Sequence, residues 1–322
     1  MPERPTLLTG VLIVALAVAG CGDGGTPAGS SIGAAQPRAQ DFPAASSAQL
    51  ARLTRIQGSS RPDLRPSVSV LAPGTNRFGF GLFEPSGRQL QVAAAVYVAS
   101  PTGTGVGGPF PARLESLAVQ PPFQSRTSAQ DPDAAKSVYV AEVPFARKGR
   151  YVAFAVARTS GGLVASSAAP VVVGGPGPIP VGARAPRIQT PTVASVHGDV
   201  SRIDTRVPPD DLHSVDFAKV VGHRPVVLTF ATPQLCQSRV CGPVVDEVAQ
   251  LKSQLGDRAA FIHMEIYRNN RLQDGVRPQV SAFGLRNEPW VFVIDRHGRV
   301  AARIEGAASV AEIRRAIERA LR

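Results

Sequence analysis

The chain has 322 residues, of which 43% are hydrophobic and 18% charged. This length allows about two domains, and this balance excludes both a membrane-embedded bundle and a wholly disordered chain. The net charge of +11 comes almost entirely from arginines that are scattered singly along the chain. This scatter excludes a nucleic-acid-binding module built on clustered basic and aromatic residues, so no nucleic-acid partner is expected.

The first 20 residues have the pattern of a secretion signal. A polar start that contains Arg4 precedes an apolar segment, residues 7–20, which is too short to span a bilayer comfortably and ends in small residues before Cys21. This arrangement resembles the lipobox of bacterial lipoproteins. The resemblance implies a signal peptide over residues 1–20, a lipid on Cys21 and attachment to the extracytoplasmic face of the cell membrane. An ordinary cleaved signal that contains a cysteine is the alternative.

The two other cysteines, Cys236 and Cys241, form an even pair, and in an oxidising compartment such a pair is expected to be a disulfide. Five extended residues span up to about 17 Å, whereas a disulfide needs Cα atoms within about 7 Å, so residues 237–240 must turn back. So small a ring stabilises a domain by only about 2 kcal/mol, which favours a redox or loop-ordering role over that of a staple.

After the signal segment, the N-terminal half of the chain divides into two regions of different composition. Residues 21–60 are rich in Gly, Ala, Ser, Pro and Gln and are predicted to be a disordered tether. Residues 61–174 contain six or seven short β-branched or aromatic runs separated by turns, and residues 149–158 alternate with the period of two that is typical of a strand. This pattern predicts an immunoglobulin-like β-sandwich that acts as a spacer or binding module, with an irregular crossover at residues 101–136.

A proline-rich connector, residues 175–194, leads to a region in which strands and helices alternate. Residues 224–231 form the continuous apolar run of a buried parallel strand. The predicted elements in chain order are a strand (224–231), a helix (242–255), a strand (259–267), a hairpin (290–306) and a terminal helix that opens on a capping box of Ser309 and Glu312.

This order of elements, over residues 195–322, resembles the thioredoxin fold, and two motifs strengthen the resemblance. Residues 241–244 read CGPV where a strand meets a helix, which is similar to the Cys-Gly-Pro-Cys motif of that family with its last cysteine replaced. Residues 283–290 read FGLRNEPW and are similar to the family segment that carries a cis-proline. The predicted architecture is thus a β-sandwich followed by an α/β thioredoxin-like domain.

The resemblance also implies the roles of individual residues. A cysteine at a helix N-terminus is favoured as the thiolate that attacks disulfides, so Cys241 is predicted to be the nucleophile and Cys236 the resolving cysteine of a C-x4-C pair. Pro289, Glu288 and Trp290 are expected to line a groove for an incoming polypeptide. The implied partners are exported proteins with thiols or disulfides, or a redox partner, and no cofactor is expected.

Three departures from the family pattern weaken the prediction of a general reductase. Val244 replaces the second cysteine, Val240 replaces an aromatic residue, and Thr229 stands where the family has a buried acid that assists proton transfer. Arg239, two residues before Cys241, is a possible stabiliser of the thiolate.

Whether the protein is an enzyme is therefore left open by the sequence, and three functions are weighed. The first is thiol–disulfide exchange. The second is a binding or scaffold module with a permanent disulfide, since a fold does not imply a function. The third is copper handling by the two thiolates with His263 or His297 as a further ligand, although no metal ligand is assigned.

Overall fold

The computed structural model describes Met1, residues 36–55 and residues 61–322. The signal segment and Cys21, on which the predicted lipid anchor depends, lie outside the described residues. Within the described ranges, no helix has the length and hydropathy that a membrane crossing requires.

Eight strands of the described region build the N-terminal domain. They are hydrogen-bonded into one antiparallel sheet of order β1-β2-β5-β4-β3-β6-β7, with β8 alongside β6. The strands are β1 (Asp63–Pro66), β2 (Gly74–Phe83), β3 (Ala94–Ala99), β4 (Gly107–Ser116), β5 (Ser137–Phe145), β6 (Gly149–Thr159), β7 (Gly162–Ala165) and β8 (Ala169–Val173). The immunoglobulin-like sandwich is therefore not confirmed, because the strands belong to one continuous sheet and not to two.

Both faces of this sheet are covered by apolar side chains. On one face Phe80 stacks on Tyr139, with ring centroids 5.0 Å apart. On the other face lie Phe42 and Leu50, both buried, and helix α1 (Ala48–Arg55). Residues 36–55 are thus packed on the domain, in contrast to the predicted disordered tether. Two large apolar anchors order the segment although its average composition is polar and small.

The C-terminal domain contains a four-stranded mixed sheet of order β10-β9-β11-β12, in which β9 and β10 are parallel and β11 is antiparallel to both of its neighbours. Its elements are α3 (Phe217–Val220), β9 (Val226–Phe230), α4 (Cys241–Leu255), β10 (Ala260–Met264), α5 (Pro278–Ala282), β11 (Trp290–Ile294), β12 (Val300–Glu305) and α6 (Val310–Ala320). Helices α4 and α6 pack on one face and α5 on the other. This is the arrangement of a thioredoxin-like domain, which confirms that prediction.

A half-buried ion pair joins the two domains. Arg77 of β2 makes a two-pronged contact with Glu312 of α6, at 2.5 Å and 2.7 Å. Ser309 caps α6 by accepting a hydrogen bond from the Glu312 N–H (3.1 Å), as predicted. The carboxylate of Glu312 serves Arg77, however, so the reciprocal half of the predicted capping box is replaced by a contact between domains.

A second contact, which is buried, lies beside the first. Glu305 at the end of β12 accepts hydrogen bonds from the backbone N–H groups of Ser69 (2.7 Å) and Val70 (3.0 Å) in the segment before β2. The two domains are therefore separate along the chain but are joined through largely buried charges in space.

Candidate functional site

Cys236 and Cys241 form a disulfide at the N-terminus of α4, with their Cα atoms 6.0 Å apart. Cys241 is the first residue of the helix, and Cys236 lies in the turn before it. Arg239 has a left-handed backbone conformation (φ +56°) and its N–H points back to the Cys236 carbonyl. This turn closes the small ring, so the predicted disulfide is confirmed.

The two sulfurs differ in their access to solvent. Cys241 is 0% exposed and belongs to the core between the sheet, α4 and α6. Cys236 is half-buried and lines a cleft of about 890 Å³, which we call the cysteine cleft. A reagent that enters the cleft meets Cys236 and not Cys241. The predicted role of Cys241 as the attacking nucleophile thus has no support in its burial, and it stays a prediction.

One side of the cysteine cleft is built by the other domain. Helix α2 (Arg126–Gln130), in the connection from β4 to β5, lies against the start of α4. A Cβ on Gly242 would lie 2.7 Å from the hydroxyl of Ser128, so glycine lets α2 and α4 approach closely without a change in the Ser128 side chain. We call α2 and the residues around it, 125–134, the α2 wall. The sequence predicts only an irregular crossover here.

The α2 wall is held by a buried carboxylate of α4. Asp246 accepts hydrogen bonds from the N–H (3.0 Å) and the hydroxyl (3.1 Å) of Ser125. Its other oxygen accepts a hydrogen bond from Arg206 (2.8 Å), which also donates to the Phe123 carbonyl (2.8 Å). The wall is therefore anchored to the same helix that carries Cys241.

The positive potential at the disulfide comes from the N-terminus of α4 and not from the Arg239 guanidinium. The Arg239 guanidinium is exposed and donates to Asp131 at 2.6 Å, and this hydrogen bond lowers the pKa of the Asp131 carboxyl. The predicted stabilisation of a thiolate by Arg239 therefore has no support in the geometry. Val240, which precedes α4, offers no polar side chain, so the first N–H groups of the helix and its macrodipole favour a thiolate at Cys241.

The predicted groove residues lie at the start of β11. The peptide bond between Glu288 and Pro289 is cis. Trp290 is 2% exposed, packs on Phe292 and donates its indole N–H to Asn287 (2.9 Å), so it belongs to the core and does not line an open groove. Glu288 is half-buried, and burial raises the pKa of its carboxyl.

The other domain also lies beside this predicted groove. The Asn287 side chain donates to the Ser69 hydroxyl at 3.2 Å and to Glu305 at 2.5 Å. Ser69 belongs to the same segment that bonds to Glu305. Access to the disulfide is therefore offered by the cysteine cleft more than by the side near Pro289.

The sequence gives no signal for the buried acid Glu247, two turns into α4. Its side chain is 0% exposed, and neither carboxylate oxygen has a hydrogen-bond partner among the residues that the structure describes. Burial first, and then the charges of Asp246, Glu312 and Glu115, raise the pKa of Glu247 well above its ordinary value. Thr229, at the position of the family acid, is buried on β9. Helix α4 therefore carries a buried acid with a raised pKa at a position different from that of the family acid.

The ligands expected for copper do not come together with the cysteines. His297 is exposed in the turn before β12. His263 lies in a group with Asp204, Asp210 and His213, which we call the His–Asp cluster. In the described part of the chain this is the one such group, and no cysteine belongs to it.

The His–Asp cluster is a sealed charged unit at the edge of the sheet. His263 of β10 and Asp210 make a hydrogen bond of 2.8 Å. Burial lowers the pKa of His263, but the charge and hydrogen bond of Asp210 and the charge of Asp204 outweigh burial and raise it to about 10. Burial raises the pKa of Asp210, and the charge and hydrogen bond of His263 lower it to about 2. The sequence does not reveal this cluster, because His263 lies far along the chain from its three partners.

No family model matches the chain, and no curated protein matches it. A solved structure similar to part of it is the crystal structure of a thiol:disulfide interchange protein, a thioredoxin family protein from Chlorobium tepidum TLS. The two are 19% identical, the similarity covers 46% of this chain and 98% of the other, and the TM-score is 0.30. The fold of the C-terminal domain is therefore defined by its own strand order and helix positions.

Proposed function

We propose that the protein carries out thiol–disulfide exchange through Cys236 and Cys241. The observation that carries this proposal is the unequal exposure of the disulfide. One sulfur lines an open cleft, and the other is buried at the start of a helix whose positive end favours a thiolate. An exchange reaction needs one sulfur that an incoming thiolate can reach and a second sulfur that is stabilised as the leaving thiolate.

In this reaction a substrate thiolate attacks the Sγ of Cys236. The bond between Cys236 and Cys241 breaks, a mixed disulfide forms, and Cys241 leaves as a thiolate. A second substrate thiolate then attacks the substrate sulfur of the mixed disulfide and releases Cys236 as a thiolate. Two electrons pass from the substrate to the protein, and the same steps in reverse oxidise the protein. The proposal thus exchanges the roles that the thioredoxin resemblance implies for the two cysteines.

The proposal includes a location and partners, which rest on the sequence pattern around Cys21. A lipid on Cys21 would hold the protein at the extracytoplasmic face of the membrane, where disulfides persist. The substrates are then exported proteins with thiols or disulfides, or a redox partner. Metabolic labelling with a radioactive fatty acid tests the anchor, and a Cys21→Ser variant is its control.

The reduction potential of the disulfide tests the reaction. The protein is equilibrated with thiol buffers of known potential, free thiols are trapped by alkylation, and the peptide that contains Cys236 and Cys241 is quantified by mass spectrometry. A midpoint well above about −300 mV is expected for an exchangeable bond. A disulfide that resists reduction below that potential until the domain unfolds would contradict the proposal and favour a binding module with a structural disulfide.

A further inference from the structure

The proposed reaction leaves the His–Asp cluster unused. Its four residues come from two places, the segment before α3 and strand β10, and their side chains are all at most 1% exposed. One ligand atom from each residue lies within 4.8 Å of all the others. Two histidines and two carboxylates buried this closely require a source of charge balance.

The separations between histidine nitrogens and carboxylate oxygens are comparable to those between ligands of one ion, and the two histidines face different oxygens of each carboxylate. Nε2 of His213 lies 3.5 Å from Asp210 and 3.7 Å from Asp204, and Nδ1 of His263 lies 3.8 Å from Asp204. These separations are long for hydrogen bonds. Ligands of a tetrahedral zinc ion, each about 2.1 Å from the metal, are about 3.4 Å apart. The one short contact, from His263 to Asp210, is the hydrogen bond that a metal would replace.

His213 supplies an independent observation. Its side chain is 1% exposed, and within the described ranges neither ring nitrogen has a hydrogen-bond partner. A buried polar group without a partner costs about 1–3 kcal/mol, which proteins rarely leave uncompensated. Its Nε2 faces the two carboxylates, so a cation between them would give this ring a partner.

The outer contacts of the cluster orient its ligand atoms. Nε2 of His263 lies 3.2 Å from the Ala231 carbonyl, which leaves Nδ1 to face the cluster. Asp204 accepts hydrogen bonds from the N–H groups of Arg206 and Asp210, each at 2.7 Å. These bonds go to different oxygens, so each Asp204 oxygen is oriented by a backbone N–H, and hydrogen bonds that orient ligands in this way are typical of metal sites.

We propose that the His–Asp cluster binds one divalent metal ion of the Zn²⁺ class. Two imidazole nitrogens and two carboxylate oxygens suit this borderline ion, and two carboxylates neutralise its charge in a buried site. Four protein ligands leave no open position, so the ion is structural and not catalytic.

The ion fastens the segment before α3 to the edge of the sheet. The N–H of His263 donates to the Leu212 carbonyl (3.1 Å), so this segment already pairs with β10 at one point. His263 also contacts Ala231, where the chain leaves β9 towards Cys236. The metal would thus stabilise the end of β9, from which the chain continues to Cys236.

Direct binding of Zn²⁺ tests the proposal. A Cys21→Ser variant with its disulfide oxidised, so that thiolates do not compete, is stripped with a chelator and titrated with Zn²⁺ by calorimetry. One equivalent is expected to bind and to raise the melting temperature, and Co²⁺ is expected to give the intense visible absorption of a four-coordinate site. Folded protein that binds no stoichiometric Zn²⁺ would overturn the proposal.

Two substitutions locate the ion. His213→Leu removes one ligand but keeps the His263–Asp210 hydrogen bond, so it is expected to fold without metal and to bind Zn²⁺ at least 100-fold more weakly. His297→Leu changes an exposed histidine and is expected to bind like the parent. Equal binding by both variants would place the ion elsewhere and overturn the proposal. If His213→Leu does not fold, Asp204→Asn takes its place in the same comparison.

Discussion

The cysteine pair and the His–Asp cluster lie in the same domain, yet they differ in sequence separation and in access to solvent. The cysteines are five positions apart and open to a cleft on one side. His263 and Asp210 are 53 positions apart and sealed from solvent. The accessible cysteine can therefore contact another molecule, whereas the enclosed His–Asp cluster can contribute only to the fold. The difference teaches that exposure, more than residue type, separates a reactive group from a structural one.

The largest expected effect concerns which cysteine reacts. Because Cys236 lines the cleft and Cys241 is buried, Cys236→Ser should abolish formation of mixed disulfides with a small thiol-reactive substrate. Cys241→Ser, the matched variant, should keep a thiol at Cys236 and accumulate a stable mixed disulfide. Mass spectrometry of the trapped adducts measures both. A mixed disulfide on Cys241 in the Cys236→Ser variant would restore the roles implied by the thioredoxin resemblance.

The next effect concerns stability at the His–Asp cluster. Asp210→Ala leaves the buried imidazolium of His263 without its partner, so the metal-free protein should lose about 3–5 kcal/mol of unfolding free energy. Asp211→Ala is the control, because its neighbouring carboxylate is 73% exposed and pairs with Lys252 at the surface. That variant should lose at most about 1 kcal/mol. Urea denaturation of both proteins makes the comparison, and similar losses would contradict it.

The pH dependence of the same proteins sharpens this result. The pKa of His263 is raised from 6.5 to about 10, so its contribution to stability is complete below pH 6.5 and is lost as the pH rises towards 10. The pKa of Asp210 is lowered from 3.8 to about 2, so its contribution is present above pH 3.8 and is lost below it. Asp210→Ala should flatten both slopes, and an unchanged alkaline slope would show that another group is responsible.

The smallest expected effect concerns Glu247, which is sealed like the cluster but lies on the helix of the cysteines. Its pKa is raised in the folded protein, so the folded state loses stability as the pH rises above 4.5 towards the raised pKa. Glu247→Gln should match the parent at pH 4 and be more stable at pH 7.5. Glu318→Gln on α6, where the side chain is 43% exposed, is the control. Thermal unfolding at the two pH values measures the difference; parallel behaviour of the parent and Glu247→Gln would contradict the account.

Local sequence patterns predict the parts of this molecule that depend on neighbours in the chain. The run at 224–231 predicts β9, and the segment CGPV at 241–244 marks the start of α4. The disulfide is predicted as well, because a ring of two cysteines five positions apart needs only one turn. These features depend on backbone conformation within a few residues, which residue types there largely determine.

The remaining features depend on contacts between distant segments, for which one sequence holds no pattern. Nothing near Asp246 shows that it anchors Ser125 of the other domain. The burial of Cys241 follows from packing by α4, α6 and the sheet together, and not from its own neighbours. Trp290 is placed in the core by Phe292 and Asn287, although its position after the proline suggests a groove.

The α2 wall has a consequence for which positions of the sequence can vary. In the proposed reaction, the α2 surface beside Cys236 belongs to one domain, while the disulfide belongs to the other. Substitutions at exposed positions of the wall alter which molecules fit beside Cys236 without touching the helix that carries Cys241. Gly242 limits this freedom at one point, because a Cβ there would require the Ser128 hydroxyl to move. Natural variation in partner choice should therefore accumulate in residues 126–134.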